Sequence, residues 1–139
     1  MKKAIFLDLD GPIFIDGEIN ENAVYCLSEL VRLTDAYIII TSSWRIGKTV
    51  DQLISDLSKY PKFPVEHIKD LTDVINYKTV EIPRGAEIFI YLEEHQEIEN
   101  YVIIDDEIIP LLSQKDHFVQ TRIHGFTGEH FREALRILG

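Results

Sequence analysis

The chain has a single cysteine, Cys26, so no intramolecular disulfide can hold it together, and the position of Cys26 on an apolar helical face reads as core packing. Long apolar runs are missing as well. The longest, such as residues 37–40 and 101–104, fall far short of the roughly 20 residues needed to cross a bilayer, so no membrane association is expected. Positive charge is scarce: 14 Lys and Arg against 24 Asp and Glu leave a net charge of −10. Broad, non-specific nucleic-acid binding needs a basic surface that displaces counterions, and this composition excludes it. A nucleotide or strand end held in a local pocket stays open. The start, Met1-Lys2-Lys3, runs directly into Ala4-Ile5-Phe6-Leu7 and then acids. It has neither the apolar region nor the cleavage site of a signal peptide, and a cytoplasmic location is the simplest expectation. There is no internal repeat or low-complexity segment. At 139 residues with 45% hydrophobic content, one well-cored domain over residues 1–139 is expected.

Residues 4–7 form a continuous apolar run that stops at Asp8, the pattern of a strand buried on both faces. Residues 22–33 switch to helical spacing, with Ala23, Leu27, Leu30 and Val31 on one face and Asn20 as N-cap. A second strand, residues 37–40, ends at Thr41-Ser42-Ser43, and Val50, Leu53, Ile54 and Leu57 then recur as a helix. A short strand is expected near 65–68. Residues 69–83 carry no decisive pattern and fit either a short helix or a loop at the site. Gly85, Ile88, Phe89 and Leu92 mark a third helix, opened by Pro83 where a missing N–H costs nothing. Strands at 101–104 and 118–120 and a helix from 128 to 138 complete the series.

Alternating strands and helices imply right-handed crossovers and a three-layer, Rossmann-like α/β fold with a mainly parallel sheet. Ligands of such sheets bind beyond the carboxyl ends of the strands. Three strands end in polar groups there: Asp8 and Asp10, then Thr41 and Ser42, then Asp105 and Asp106. A parallel sheet brings them to one edge.

Gathering these carboxylates in one crevice is costly unless a cation sits among them. A hard divalent ion with oxygen ligands answers that cost, and Mg²⁺ commonly takes one or two carboxylates plus a phosphate. Taken one at a time, each acid is equally readable as a cap of a strand or helix. Asp8 and Asp10, two residues apart as the chain leaves a strand, can divide the labour: one attacks phosphorus and the other gives and takes protons. Gly11 permits an unusual backbone turn just after them. The same D-x-D-G string opens calcium loops, but the twelfth position counted from Asp8 is Ile19, not a glutamate. Thr41 or Ser42 can offer a hydroxyl to a phosphoryl oxygen, or can cap the helix that follows. Arg84 and Arg45 are candidate cations for a phosphoryl group. Gly11, Ser42 and Arg45 make up the expected substrate-contacting set. Trp44 can pack beneath the loop or stack on a substrate. The five histidines form no close ligand pair, and no nucleophile elbow or P-loop is present.

In order, Phe6-Leu7-Asp8-Leu9-Asp10-Gly11, Ile38-Ile39-Ile40-Thr41, Arg84 and Val102-Ile103-Ile104-Asp105-Asp106 resemble the motifs of the haloacid dehalogenase superfamily. Thr41-Ser42-Ser43-Trp44-Arg45 and Arg84-Gly85-Ala86-Glu87-Ile88 are similar to the branch found as stand-alone domains and in multifunctional, Swiss Army Knife RNA-repair proteins. The resemblance implies a Mg²⁺-dependent phosphatase, capless or with a minimal cap. By that pattern Asp8 is the nucleophile and Asp10 the acid and base, while Thr41 and Arg84 hold the phosphoryl oxygens. Mg²⁺ would be held by Asp8, the backbone carbonyl of Asp10 and an acid of the last motif, Asp106 ahead of Asp105. Two positions depart from the superfamily pattern. Pro12 stands where an apolar β-branched residue is usual, and Arg84 replaces the commoner lysine, which leaves Lys78 as a rival.

Only about ten residues separate Gly11 from the first helix, enough for a small flap, and residues 58–83 are too few for a large cap. An open site admits a phosphorylated small molecule, a nucleotide or a nucleic-acid end. Two other classes compete. A phosphorylatable receiver uses similar groups but places its phosphorylated Asp on a middle strand after an early acidic pair, and here the acidic pair comes late. A catalytically silent phosphate-binding domain would not need both Asp8 and Asp10.

Overall fold

The strand residues of the central motifs are buried on alternate sides, so that both faces of the sheet are covered. A computed structural model describes residues 2–74, 76–77, 80–107 and 110–139. Strand β1 (Lys2–Leu7) is followed by a hairpin, β2 (Phe14–Ile15) and β3 (Glu18–Ile19), and by helix α1 (Glu21–Thr34). Next come β4 (Tyr37–Ile40), α2 (Val50–Leu57), β5 (Ile68–Leu71) and the pair β6 (Asn76–Tyr77) and β7 (Val80–Glu81). Helix α3 (Arg84–Glu94), β8 (Ile98–Asp105), β9 (Phe118–Gln120) and α4 (Gly128–Leu138) complete the order.

Five strands form one parallel sheet in the order β5-β4-β1-β8-β9. Along β1, Ile5 and Leu7 face a core shared with α1, α2 and α4, whereas Ala4 and Phe6 face a second core with Ile88 and Tyr91 of α3. β4 divides in the same way, Ile38 and Ile40 against Ile39, and β8 sets Val102 and Ile104 against Ile103. The period of two along each apolar run therefore builds the three layers directly. Only the antiparallel β2–β3 hairpin stands between Asp10 and α1, in agreement with a minimal cap.

Local chemistry sets the element ends. The Asn20 side chain accepts from the Ala23 N–H at 2.9 Å, satisfying one free donor of α1. Thr49 and Gln52 form a reciprocal capping box on α2. Two expectations shift. The strand expected near 65–68 begins at Ile68, after a 3₁₀ turn at Val65–His67, because Ile68 is the first residue to pair with Ile38 of β4. Phe89, one of the apolar residues that mark α3 in the sequence, is 46% exposed, while Glu87 and Tyr91 are buried. The buried face is turned by about one residue because Glu87 points inward to an arginine. Among the described residues, no helix is long and apolar enough to cross a membrane.

Candidate active site

β4, β1 and β8 are neighbours, and Leu7 lies in register with Ile40 on one side and Ile104 on the other. Asp8, Thr41 and Asp105 are therefore each one step beyond the same rung. The ladder continues through them, since the Asp8 N–H donates to Ile104 O and the Thr41 N–H to Leu7 O, both at 3.0 Å. Apolar runs of matched length thus deliver three polar side chains to one point.

That point is almost dry. Asp8 is 5% exposed, and Thr41 and Asp105 are fully buried. The Arg84 Nη1 donates to Asp105 Oδ2 at 2.8 Å and lies 3.4 Å from Asp8 Oδ1. The other Asp105 oxygen accepts from the Glu107 N–H at 3.0 Å. Burial, together with the nearby Asp105 charge, pushes the Asp8 carboxyl up to about 8 against the pull of Arg84. Burial also raises Asp105, opposed by the Glu107 N–H and Arg84. For Arg84, burial alone would lower the pKa, but the bond to Asp105 and the Asp8 and Asp105 charges outweigh it and the net shift is upward. A crevice that holds two carboxylates at such cost favours a further cation.

Ligand atoms of Asp8, Asp105 and Asp106 lie within 4.8 Å of one another, an all-oxygen set suited to a hard divalent ion. Because both Asp105 oxygens are already engaged, Asp8 and Asp106 are the freer donors. Gly11 shapes this cluster. Its φ is +104°, and a Cβ there would sit 2.4 Å from Asp106 Cγ, so only glycine leaves room for that carboxylate. The Asp10 carboxylate stands outside the three-acid cluster, exposed at the mouth, where its Oδ2 accepts from the Trp44 Nε1–H at 3.0 Å.

The second-strand loop separates its candidates. The Thr41 hydroxyl is buried without a hydrogen-bond partner among the described residues, a costly state for a polar group. It caps no helix. Ser42 does, accepting from the Trp44 N–H at 3.3 Å at the start of a 3₁₀ turn. Arg45 is 6% exposed and its guanidinium is spent on protein groups: Thr72 O, Thr41 O, Ser42 O and, at 2.8 Å, Glu87 Oε1. Lys78, the rival to Arg84, lies outside the described residues.

Sequence reasoning missed two roles. The Trp44 indole is a donor to Asp10, and its ring lies 4.7 Å from that of Phe14. Glu87 is a buried partner that joins α3 to the loop after β4. The only hint of the second was the presence of both the Ser-Ser-Trp-Arg and Arg-Gly-Ala-Glu-Ile strings, which the Arg45–Glu87 pair connects across 42 residues.

Residues 4–131 match the family described as the HAD domain in Swiss Army Knife RNA repair proteins. The chain belongs to this family. This HAD domain thereby falls among phosphatase-type hydrolases, in keeping with its parallel sheet and acidic site. Neither a curated protein nor a solved structure matches the chain.

Proposed function

We propose that this HAD domain is a Mg²⁺-dependent phosphomonoesterase that works through an aspartyl-phosphate on Asp8. The observation that carries the reading is the pairing of a buried carboxylate, Asp8, with a buried Thr41 hydroxyl that has no partner among the described residues, both one step beyond the same rung, with Arg84 3.4 Å from Asp8. Thr41 and Arg84 hold the phosphoryl oxygens. An Asp8 oxygen attacks phosphorus, and the P–O bond to the alcohol breaks as Asp10 gives that oxygen its proton. Asp10, now a carboxylate, takes a proton from water as the water oxygen attacks phosphorus. The Asp8–phosphorus bond then breaks, releasing phosphate and restoring both acids. Bound Mg²⁺, held by Asp8 and Asp106 with the Asp10 carbonyl, would supply charge neutralisation between carboxylate and phosphoryl group.

Two further residues support these steps. Trp44 keeps Asp10 at the mouth, where the leaving oxygen must pass. Arg45 fixes the Thr41 and Ser42 carbonyls and so aims the loop, a supporting part in place of the direct substrate contact expected for it; Gly11 likewise makes room for Asp106. The family's setting in RNA-repair proteins supports a phosphorylated nucleic-acid end or nucleotide as substrate. One domain over residues 1–139 and a cytoplasmic location belong to the same reading.

The test is phosphate release from an aryl phosphate and from phosphorylated oligonucleotides, with Mg²⁺ and with chelator, for the native chain and Asp8→Asn. Metal-dependent turnover that disappears in the variant is expected. Turnover that survives Asp8→Asn would overturn the nucleophile, and absence of Mg²⁺ binding would overturn the metal site.

A further inference from the structure

A cleft of about 640 Å³ opens beside the catalytic acids, within the usual size of small-ligand sites. Its floor includes Gly11, Asp106 and Thr121, one wall is the hairpin (Phe14 to Asp16), and the other is the turn after β9, carrying Arg122 and Ile123. This turn is tied down. Gly125 N–H donates to Arg122 O at 2.9 Å and Phe126 N–H to Pro12 O at 2.8 Å. Gly125 has φ +73°, and a Cβ there would meet Pro12 O at 2.7 Å, so the turn sits hard against the segment that follows Gly11. On this fixed turn Ile123 is 78% exposed, with Arg122 exposed beside it. An isoleucine presented to water on a rigid turn contributes nothing to the core. In the cleft floor, the Thr121 hydroxyl is buried at 1% residue exposure and has no partner among the described residues.

We infer that this cleft is a specificity subsite for the terminal nucleoside of a phosphorylated strand, with Ile123 and Ile15 flanking the base, Thr121 and the amide oxygen of Gln120 (whose Nε2 donates to Asp106 O at 3.2 Å) facing its polar edges or sugar, and Arg122 meeting the next phosphodiester. The inference rests on the phosphatase reading and adds what surrounds the phosphate to be removed. The cleft's make-up argues for such an occupant. A nucleoside needs an apolar face with a few hydrogen-bonding groups, and its attached strand needs an open exit and a cation. On a chain of charge −10 a single well-placed guanidinium supplies that cation locally.

The experiment compares kcat/KM for an aryl phosphate, a nucleoside monophosphate and single-stranded oligonucleotides phosphorylated at either end, using native protein, Arg122→Ala, Ile123→Ala and Asp8→Asn. Both substituted turn residues are exposed, so folding is not at stake, and circular dichroism checks it. The ratio of oligonucleotide to aryl phosphate kcat/KM is expected to fall about tenfold in each turn variant. Arg122→Ala should also lower the slope of log KM against log salt for the oligonucleotide by about 0.7, one phosphate contact. Ile123→Ala should lower the ratio for the nucleoside monophosphate as well, whereas Arg122→Ala should not. An unchanged ratio in both variants, with turnover still dependent on Asp8, overturns the subsite and leaves the phosphatase reading standing. If no substrate is turned over and Asp8→Asn equals native, both fall together.

Discussion

Asp8→Asn is expected to stabilise the metal-free protein at neutral and alkaline pH, because the folded structure holds this carboxyl where its charge is disfavoured. Asp8 is 5% exposed and faces Asp105, and the two effects raise its pKa from 3.8 to about 8. In the unfolded chain the same carboxyl ionises near its ordinary value. Between those two pH values the native state therefore holds a proton that the unfolded state has lost. Native stability then falls as pH rises from about 4 through about 8 and levels off above that window. A shift of four units corresponds to about 5–6 kcal/mol at about 1.4 kcal/mol per unit. Adjustment of Arg84 and Asp106 around a charged Asp8 reduces the cost, and about 2–4 kcal/mol is the expected size. The 3.4 Å contact of Arg84 with Asp8 already opposes the shift, so its loss in the variant is contained in the net value. Urea unfolding in chelator at pH 5 and pH 9 measures this. The native chain should lose about 1.5–3 kcal/mol relative to Asp8→Asn between the two, because about three of the four units fall in this range and groups that do not sense Asp8 cancel in the comparison. Mg²⁺ at pH 9 should then restore the native chain more than the variant. Equal pH dependence in the two proteins would refute the burial argument.

Thr41→Val should change stability by less than about 1 kcal/mol, because the hydroxyl has no partner to lose among the described residues, while weakening inhibition by inorganic phosphate. Arg45→Met removes the buried 2.8 Å ion pair with Glu87 and the bonds to three carbonyls, and should cost about 3–5 kcal/mol in urea unfolding. The double variant Arg45→Met/Glu87→Leu should recover part of that, with kcat still depressed because the guanidinium no longer holds the Thr41 and Ser42 carbonyls. Gly11→Ala drives a Cβ into the Asp106 carboxylate and should weaken Mg²⁺ binding, read by calorimetry, by about tenfold or more. Trp44→Phe keeps the ring against Phe14 but removes the donor to Asp10, and kcat for an aryl phosphate should fall about tenfold with the circular dichroism spectrum unchanged.

Much of this was legible in the residues because burial on both faces leaves a local signature. Ile5 and Leu7 against Ala4 and Phe6, or Ile38 and Ile40 against Ile39, must alternate between two cores, and an uninterrupted apolar run is the sequence form of that requirement. The first polar residue after each run then marks the carboxyl edge, which is why Asp8, Thr41 and Asp105 could be grouped. Where contacts are made by short or irregular segments no such signature exists. Residues 68–71 are a strand because Ile68 pairs with Ile38, and Phe89 is exposed because Glu87 takes the inner position on α3.

The sequence by itself determined the order of strands and helices, the polar groups that end the central strands, and the need for something positive among the acids. Periodicity and charge are properties of neighbouring residues and can be read without coordinates. Only the tertiary structure decided what each polar group is bound to. It separated Thr41, buried and without a partner among the described residues, from Ser42, a cap, and turned Arg45 inward to three carbonyls and Glu87. It also set Trp44 on Asp10 and the turn bearing Arg122 and Ile123 opposite the hairpin. These partners lie from two to more than a hundred residues apart, and their pairing depends on distances of a few ångströms that no local pattern encodes.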